Sequence, residues 1–203
     1  MVGVHVGHVN ETARLETFSD GVFAIAATLL ILEIRLPEHG SLTQQLLGLW
    51  PSYAAYAISF VTIGIMWINH HAVFEQINRV NRTFLVINVF FLMVIAFIPF
   101  PTHVLAAHLQ SDARPAAFFY GLTNVVMAGM YASLWFYAAK DGRLISAHAD
   151  PRTVSGISRA FRPGIPVYML ATLSALISAW LAVGLFAAIA TFYVLESSIF
   201  GRD

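Results

Sequence analysis

Cysteine is absent from this chain of 203 residues, which excludes disulfides and thiolate metal sites and leaves the redox compartment open. Charge is scarce as well. Asp, Glu, Lys and Arg make up 11% of the residues, eleven basic against eleven acidic, so nothing points to a nucleic-acid partner or a polybasic lipid-binding tail. No stretch reads as a large soluble domain. The ten or so residues before Glu11 lack the basic n-region and small-residue cleavage site of a signal peptide, so the first apolar segment is expected to stay as a membrane helix. What the chain has in excess is apolar surface: 58% of its residues are hydrophobic and its mean hydropathy is +0.72. That is too apolar for a domain facing water, and the composition predicts an integral membrane protein.

A spanning helix needs roughly 20 mostly apolar residues at about 1.5 Å each. Six candidates follow, which makes the predicted fold all-α with six transmembrane helices in a single unit, residues 1–203. The first covers about 16–36 and stops at Pro37 with the turn-forming EHGS. The second covers about 51–74, opening on Pro51, a good first-turn residue. The third, about 83–107, carries Pro99 and Pro101, which predict a kink in its far end. The fourth covers about 116–139 and is followed by the charged loop from Lys140 to Gly164, readable as a regulatory surface or a solvated connector. The last apolar stretch is too long for one straight span, so it divides near Ala179 to Gly184 into helices of about 165–181 and 183–200.

Basic residues orient the chain. With a cytoplasmic N-terminus, Arg14, Arg79, Arg82, Lys140, Arg143, Arg152, Arg159, Arg162 and Arg202 lie inside, and Arg35 and Arg114 lie outside. Nine against two is a clear positive-inside bias. It predicts cytoplasmic N- and C-termini in a multi-pass protein of the plasma membrane.

The first helix can be read by angle, at about 100° per residue. Taking Ile25 as zero, Leu29 and Leu32 fall close beside it, Gly21 and Phe18 continue the stripe, and Thr28 borders it. Ser19 and Asp20 lie on the other side. The stripe suits packing against a neighbour or lipid, and periodicity alone does not make it a pore. Asp20 demands partners, because a carboxylate in a membrane helix costs about 2.5–3.5 kcal/mol on insertion scales. Candidates are Arg14, Asn88 in the third helix, and the WINHH run of the second: Trp67, Asn69, His70 and His71. Adjacent histidines point about 100° apart, so they are poorly placed to grip one metal. Structural hydrogen bonding, a proton relay and metal or haem ligation are the three roles open to this run. The other histidines scatter without ligand spacing, and no catalytic residue, resident metal or cofactor is expected.

Arg14, Phe18, Ser19 and Asp20 form R-x-x-x-F-S-D ahead of a hydrophobic helix, and this resembles the signature of the transmembrane protein 175 family of potassium channels. WINHH and the six-helix count are similar to that family's unit too. The animal members carry two such units, whereas this chain has room for one and resembles the prokaryotic form. The resemblance implies a homotetramer in the lipid bilayer, with a central pore lined by four first helices and K+ as the permeant ion. It further implies a constriction of aliphatic rings, here Ile25, Leu29 and Leu32, with Thr28 as a hydroxyl just outward of the first ring. No TVGYG filter occurs in the sequence, so selectivity by a carbonyl cage has no visible source. Gly21 then opens a vestibule on the cytoplasmic side of Ile25. Arg14, Ser19 and Asp20 hold the back of the helix, and Glu33 and Glu38 concentrate cations at the outer mouth, offset in part by Arg35.

Two other classes compete. A proton-coupled secondary transporter would use Asp20 with His70 or His71 and would favour broken half-helices in an inverted repeat, which the sequence does not display. An intramembrane enzyme would need a nucleophile–base pair, paired carboxylates or a metal-ligand motif, and none stands out.

Overall fold

Each helix starts or stops where local chemistry dictates. The computed structural model describes residues 5–37 and 39–200, with side chains for residues 12–37 and 39–195. The first helix, α1 (His5–Leu29), tightens into a 3-10 turn over Leu30–Glu33. It begins earlier than the expected Glu16, and its regular part ends earlier than Leu36. A short helix that the sequence reading missed, α2 (Leu42–Gly48), is opened by a reciprocal capping box between Ser41 and Gln44. Next comes α3 (Trp50–Glu75), with Pro51 in its first turn.

In place of one kinked third helix there are two, α4 (Arg82–Phe97) and α5 (Pro99–His108). Pro99 and Pro101 have no N–H to offer the carbonyls one turn back, which interrupts the ladder at Ile98. The Thr102 hydroxyl donates to the Ile98 carbonyl at 2.8 Å and bonds Ser59 of α3 at 2.8 Å, so the break is stitched to its neighbour. At its other end, α4 is capped by Asn81, whose side chain accepts from the Phe84 N–H at 2.9 Å.

The long α6 (Ala113–Ala139) ends in a 3-10 turn at Lys140–Gly142. Inside the charged loop lies another helix, α7 (Pro151–Phe161), started by Pro151 and by Asp150, which accepts from the Arg152 N–H at 3.0 Å. The last apolar stretch does break, but earlier than predicted: α8 (Gly164–Ser174) and α9 (Ala179–Phe200) are separated at 175–178. Ser178 supplies the cause, since its hydroxyl accepts from the Leu181 N–H at 3.4 Å and starts α9 there.

Four stretches are long and apolar enough to cross a membrane: Thr12–Glu33, Trp50–Glu75, Arg82–His108 and Ala113–Gly142, with a shorter apolar helix over Ala179–Leu195. Helix α6 forms the hub, packing against α4, α5, α8 and α9, while α1 lies on α3 and α4. At the end where the basic loops gather, the Arg79 guanidinium donates twice to the Arg143 carbonyl, at 3.0 and 2.7 Å, and Arg143 covers the Tyr137 ring at 4.4 Å.

Gly121 marks the tightest helix approach. A Cβ there would stand 2.5 Å from Thr172 Oγ1 of α8 and 2.8 Å from the Phe186 ring of α9. Gly121→Ala is therefore expected to lower stability by about 1–3 kcal/mol through overpacking. Gly129→Ala, with no atom within 4 Å of the added methyl, serves as the control in a thermal unfolding series in detergent and should leave the midpoint unchanged or slightly raised.

Candidate functional site

Helix α1 has a back and a front. Leu15, Ser19, Phe23, Ala26 and Leu30 are buried against α3 and α4, while Phe18, Ile25, Leu29 and Leu32 are exposed, Ile25 at 61% and Leu32 at 64%. Gly21 and Thr28 are exposed on the same front. At about 100° per residue the two sets lie on opposing sides of the helix.

Polar bonds fix the back. The Ser19 hydroxyl donates to the Leu15 carbonyl at 2.8 Å and accepts from Asn88 Nδ2 at 3.0 Å. Asn88 Oδ1 in turn meets His70 Nε2 at 3.1 Å. An amide oxygen only accepts, so the His70 proton on this side sits on Nε2. Ser19, Asn88 and His70 are each fully buried. His70 also stacks on Phe74 at 4.3 Å and meets Phe23 edge-on at 5.4 Å.

A second set of bonds runs along the flank. Trp67 Nε1 donates to Asp20 Oδ1 at 2.9 Å, and His71 Nδ1 bonds Glu16 Oε1 at 2.8 Å. Glu16 and Asp20 are one helical turn apart on α1, as are Trp67 and His71 on α3. The two helices run antiparallel, so the four side chains form a two-rung ladder that sets the register of α1 on α3. Sequence reading missed Glu16, although its spacing from Asp20 was the available signal.

Two expectations about the anchor need correction. Arg14 makes no hydrogen bond or ion pair among the described residues and is exposed. Eleven residues at about 100° bring it back to the angle of Ile25, on the front and away from Asp20. Phe18, a member of the motif whose angle put it on the stripe, is on the front as well, 58% exposed, and takes no part in the anchor. Asn69 faces a cavity on the far side of α3 and takes no part in the Ser19 network. The trio expected at the back thus reduces to Ser19 and Asp20, joined by Trp67, His70, His71 and Asn88. Asp20 is bonded to Trp67 and to neither histidine.

Thr28 has a particular chemistry. Its hydroxyl donates to the carbonyls of Ala24 and Ile25 at 2.9 and 3.0 Å. The hydrogen is turned into the helix, and the oxygen's lone pairs are left for an external partner that wants acceptors. At the far end Glu33 pairs with His103 at 3.1 Å, so its charge is shared with α5. Glu38 lies outside the described residues, as does Arg202. No group of three or more candidate metal ligands occurs among the described residues.

A bundle of apolar helices whose N-terminal helix is bonded at the back and bare at the front defines the class: a polytopic all-helical membrane protein. Known proteins narrow it. Residues 14–99 match the family described as endosomal/lysosomal potassium channel TMEM175. A potassium channel of Chamaesiphon minutus is 42% identical over 195 residues, covering 93% of this chain and 96% of its own. Another, from Streptomyces collinus, is 46% identical over 159 residues, 76% of this chain and 75% of its own. The crystal structure of a lysosomal potassium-selective channel TMEM175 homolog from Chamaesiphon minutus superposes with a TM-score of 0.85 at 40% identity, covering 93% of this chain and 98% of that one. The chain belongs to the TMEM175 family of potassium channels, a family of ion channels and not of enzymes.

Proposed function

We propose that this protein is a passive K+-permeable channel in which four copies bring their α1 fronts together around a central path. The observation that carries the reading is the division of α1: a membrane helix bonded at its back by buried polar groups and left bare along Ile25, Leu29 and Leu32. One helix cannot enclose a path, so the bare front calls for further copies of itself. Each copy contributes six crossing helices, with α4 and α5 making one of them, both termini cytoplasmic and the whole set in the plasma membrane; the nine-to-two split of basic residues supports that orientation.

Rings of Ile25, Leu29 and Leu32 narrow the path until a hydrated cation has to shed water, and closer approach of the rings dewets it. Potassium gives up its shell more readily than sodium. The Thr28 oxygens, with lone pairs turned outward, replace part of the lost hydration and give a moderate preference for K+ without a carbonyl cage. Gly21 leaves a wider vestibule below Ile25. Mouth charges act as tuning, and the His103 partner of Glu33 reduces its share.

A proton-coupled transporter centred on Asp20 and His70 or His71 has less support. Asp20 is engaged by Trp67, and His70 Nδ1 is buried without a hydrogen-bond partner, so no continuous relay joins the three. Potassium and sodium flux from liposomes reconstituted with the purified protein separates the readings. The channel reading expects passive flux, faster for K+ than for Na+ and insensitive to an imposed proton gradient; flux that follows the proton gradient and saturates at low turnover would refute it.

A further inference from the structure

The charged loop does more than connect helices. Its helix α7 packs on α6 and α8 through the partly buried Val154, Ile157 and Phe161, and the Ser158 hydroxyl accepts from Trp135 Nε1 at 2.9 Å. The α7 segment contains no acid, and it carries Arg152 and Arg159 with Arg162 just after it. None of the three arginines makes an ion pair among the described residues. A basic amphipathic helix of this kind suits the membrane interface.

Beneath α7 is a cavity of about 710 Å³ bounded by α3, α6, α7, α8 and α9, with Met66, Asn69, Tyr131, Ile157, Arg159 and Tyr168 among its walls. Its size falls within the range of small-molecule sites, about 300–1,000 Å³. Most of the wall is apolar, and Arg159 supplies a cation. An acyl chain fits the apolar wall, and an anionic headgroup fits the arginine.

We propose that this cavity is a binding site for an anionic phospholipid, taking an acyl chain between α3, α6 and α8 and holding the phosphate at Arg159. The site is separate from the α1 front and stands whether or not that front lines a pore. Basic pockets between membrane helices are a recognised means of holding anionic headgroups.

Native mass spectrometry of the full chain in detergent, titrated with phosphatidylglycerol and with phosphatidylcholine of the same acyl composition, tests the site. The wild type is expected to retain phosphatidylglycerol in preference to phosphatidylcholine. Arg159→Gln should lose about fivefold of that preference, the equivalent of the ~1 kcal/mol of one interfacial arginine. Gly156→Leu adds its side chain at a wall position where a Cβ meets nothing within 4 Å, and should reduce retention of both lipids by filling the cavity. Arg114→Gln, in the first turn of α6 and away from the site, should leave the preference unchanged. Equal retention of both lipids by the wild type, an undiminished preference in Arg159→Gln, or an equal loss in Arg114→Gln would overturn the proposal, as would full retention in Gly156→Leu.

Discussion

Ile25→Asn is expected to raise ion flux at least about tenfold and to bring the K+ and Na+ permeabilities close to one another. The reasoning is energetic. An isoleucine ring keeps water out because its surface disfavours hydration by about 1.5–3 kcal/mol per side chain, and each 1.4 kcal/mol removed from a barrier is about tenfold in rate. Asparagine occupies less volume than isoleucine at its tip and offers an amide that bonds water, so the narrowest point stays wet and a cation no longer sheds its shell. Because Ile25 is 61% exposed and bonded to nothing at the back of α1, the fold should be unaffected. Planar-bilayer recording of conductance and reversal potential, alongside a melting curve, checks both halves of the expectation. Unchanged conductance and an unchanged K+-to-Na+ ratio would remove Ile25 from the pore.

Asn88→Ala should do the opposite, disturbing the fold and sparing ion preference. Asn88 is fully buried and joins two other fully buried groups, Ser19 of α1 and His70 of α3. Its loss leaves His70 Nε2 unpaired and removes the donor to Ser19, which keeps its bond to the Leu15 carbonyl, and an unsatisfied buried group costs about 1–3 kcal/mol. For a chain of this size that corresponds to a fall in melting temperature on the order of 5–10 °C. Removing all three polar groups together, as Ser19→Ala, His70→Phe and Asn88→Leu, should recover part of the loss, since an apolar core of similar shape leaves nothing unpaired. Surviving channels should keep their K+ preference, because the network lies on the far side of the helix from Ile25. A normal melting point with altered selectivity in Asn88→Ala would contradict the separation of back from front.

The front of α1 was legible because angle follows from spacing alone: Ile25, Leu29 and Leu32 recur at three and four residues, and a helix must stack them. The same arithmetic places Arg14 on the front, and only its charge and its place at the entrance of the same helix suggested a partnership with Asp20. That pairing was a tertiary inference, and the structure gives Asp20 to Trp67. Which member of WINHH meets which acid depends on the antiparallel register of α1 on α3, which neither segment encodes by itself. Once Glu16 is set beside Asp20 and His71 beside Trp67, the ladder follows; no local signal says that the two pairs face each other.

Boundaries failed for a related reason. Hydropathy is nearly uniform from Ile165 onward, so it held no mark at which to divide α8 from α9, whereas the Ser178 cap is a single hydroxyl. Helix α7 was hidden by its charge, since a basic amphipathic helix has too little hydropathy to register as a span and reads as a connector.

The absence of cysteine makes the place of Ile25 in the ion path directly testable. In a chain with no native thiol, Ile25→Cys carries a single reporter at the proposed constriction, and Leu176→Cys carries one at an exposed apolar position between α8 and α9. Silver ion, close to K+ in size and reactive toward thiols, is added during recording of each variant. Block of current is expected in Ile25→Cys, with protection by high K+ and no effect on Leu176→Cys or the wild type. Unaltered current through a conducting Ile25→Cys channel in the presence of silver would show that the front of α1 does not face the ion.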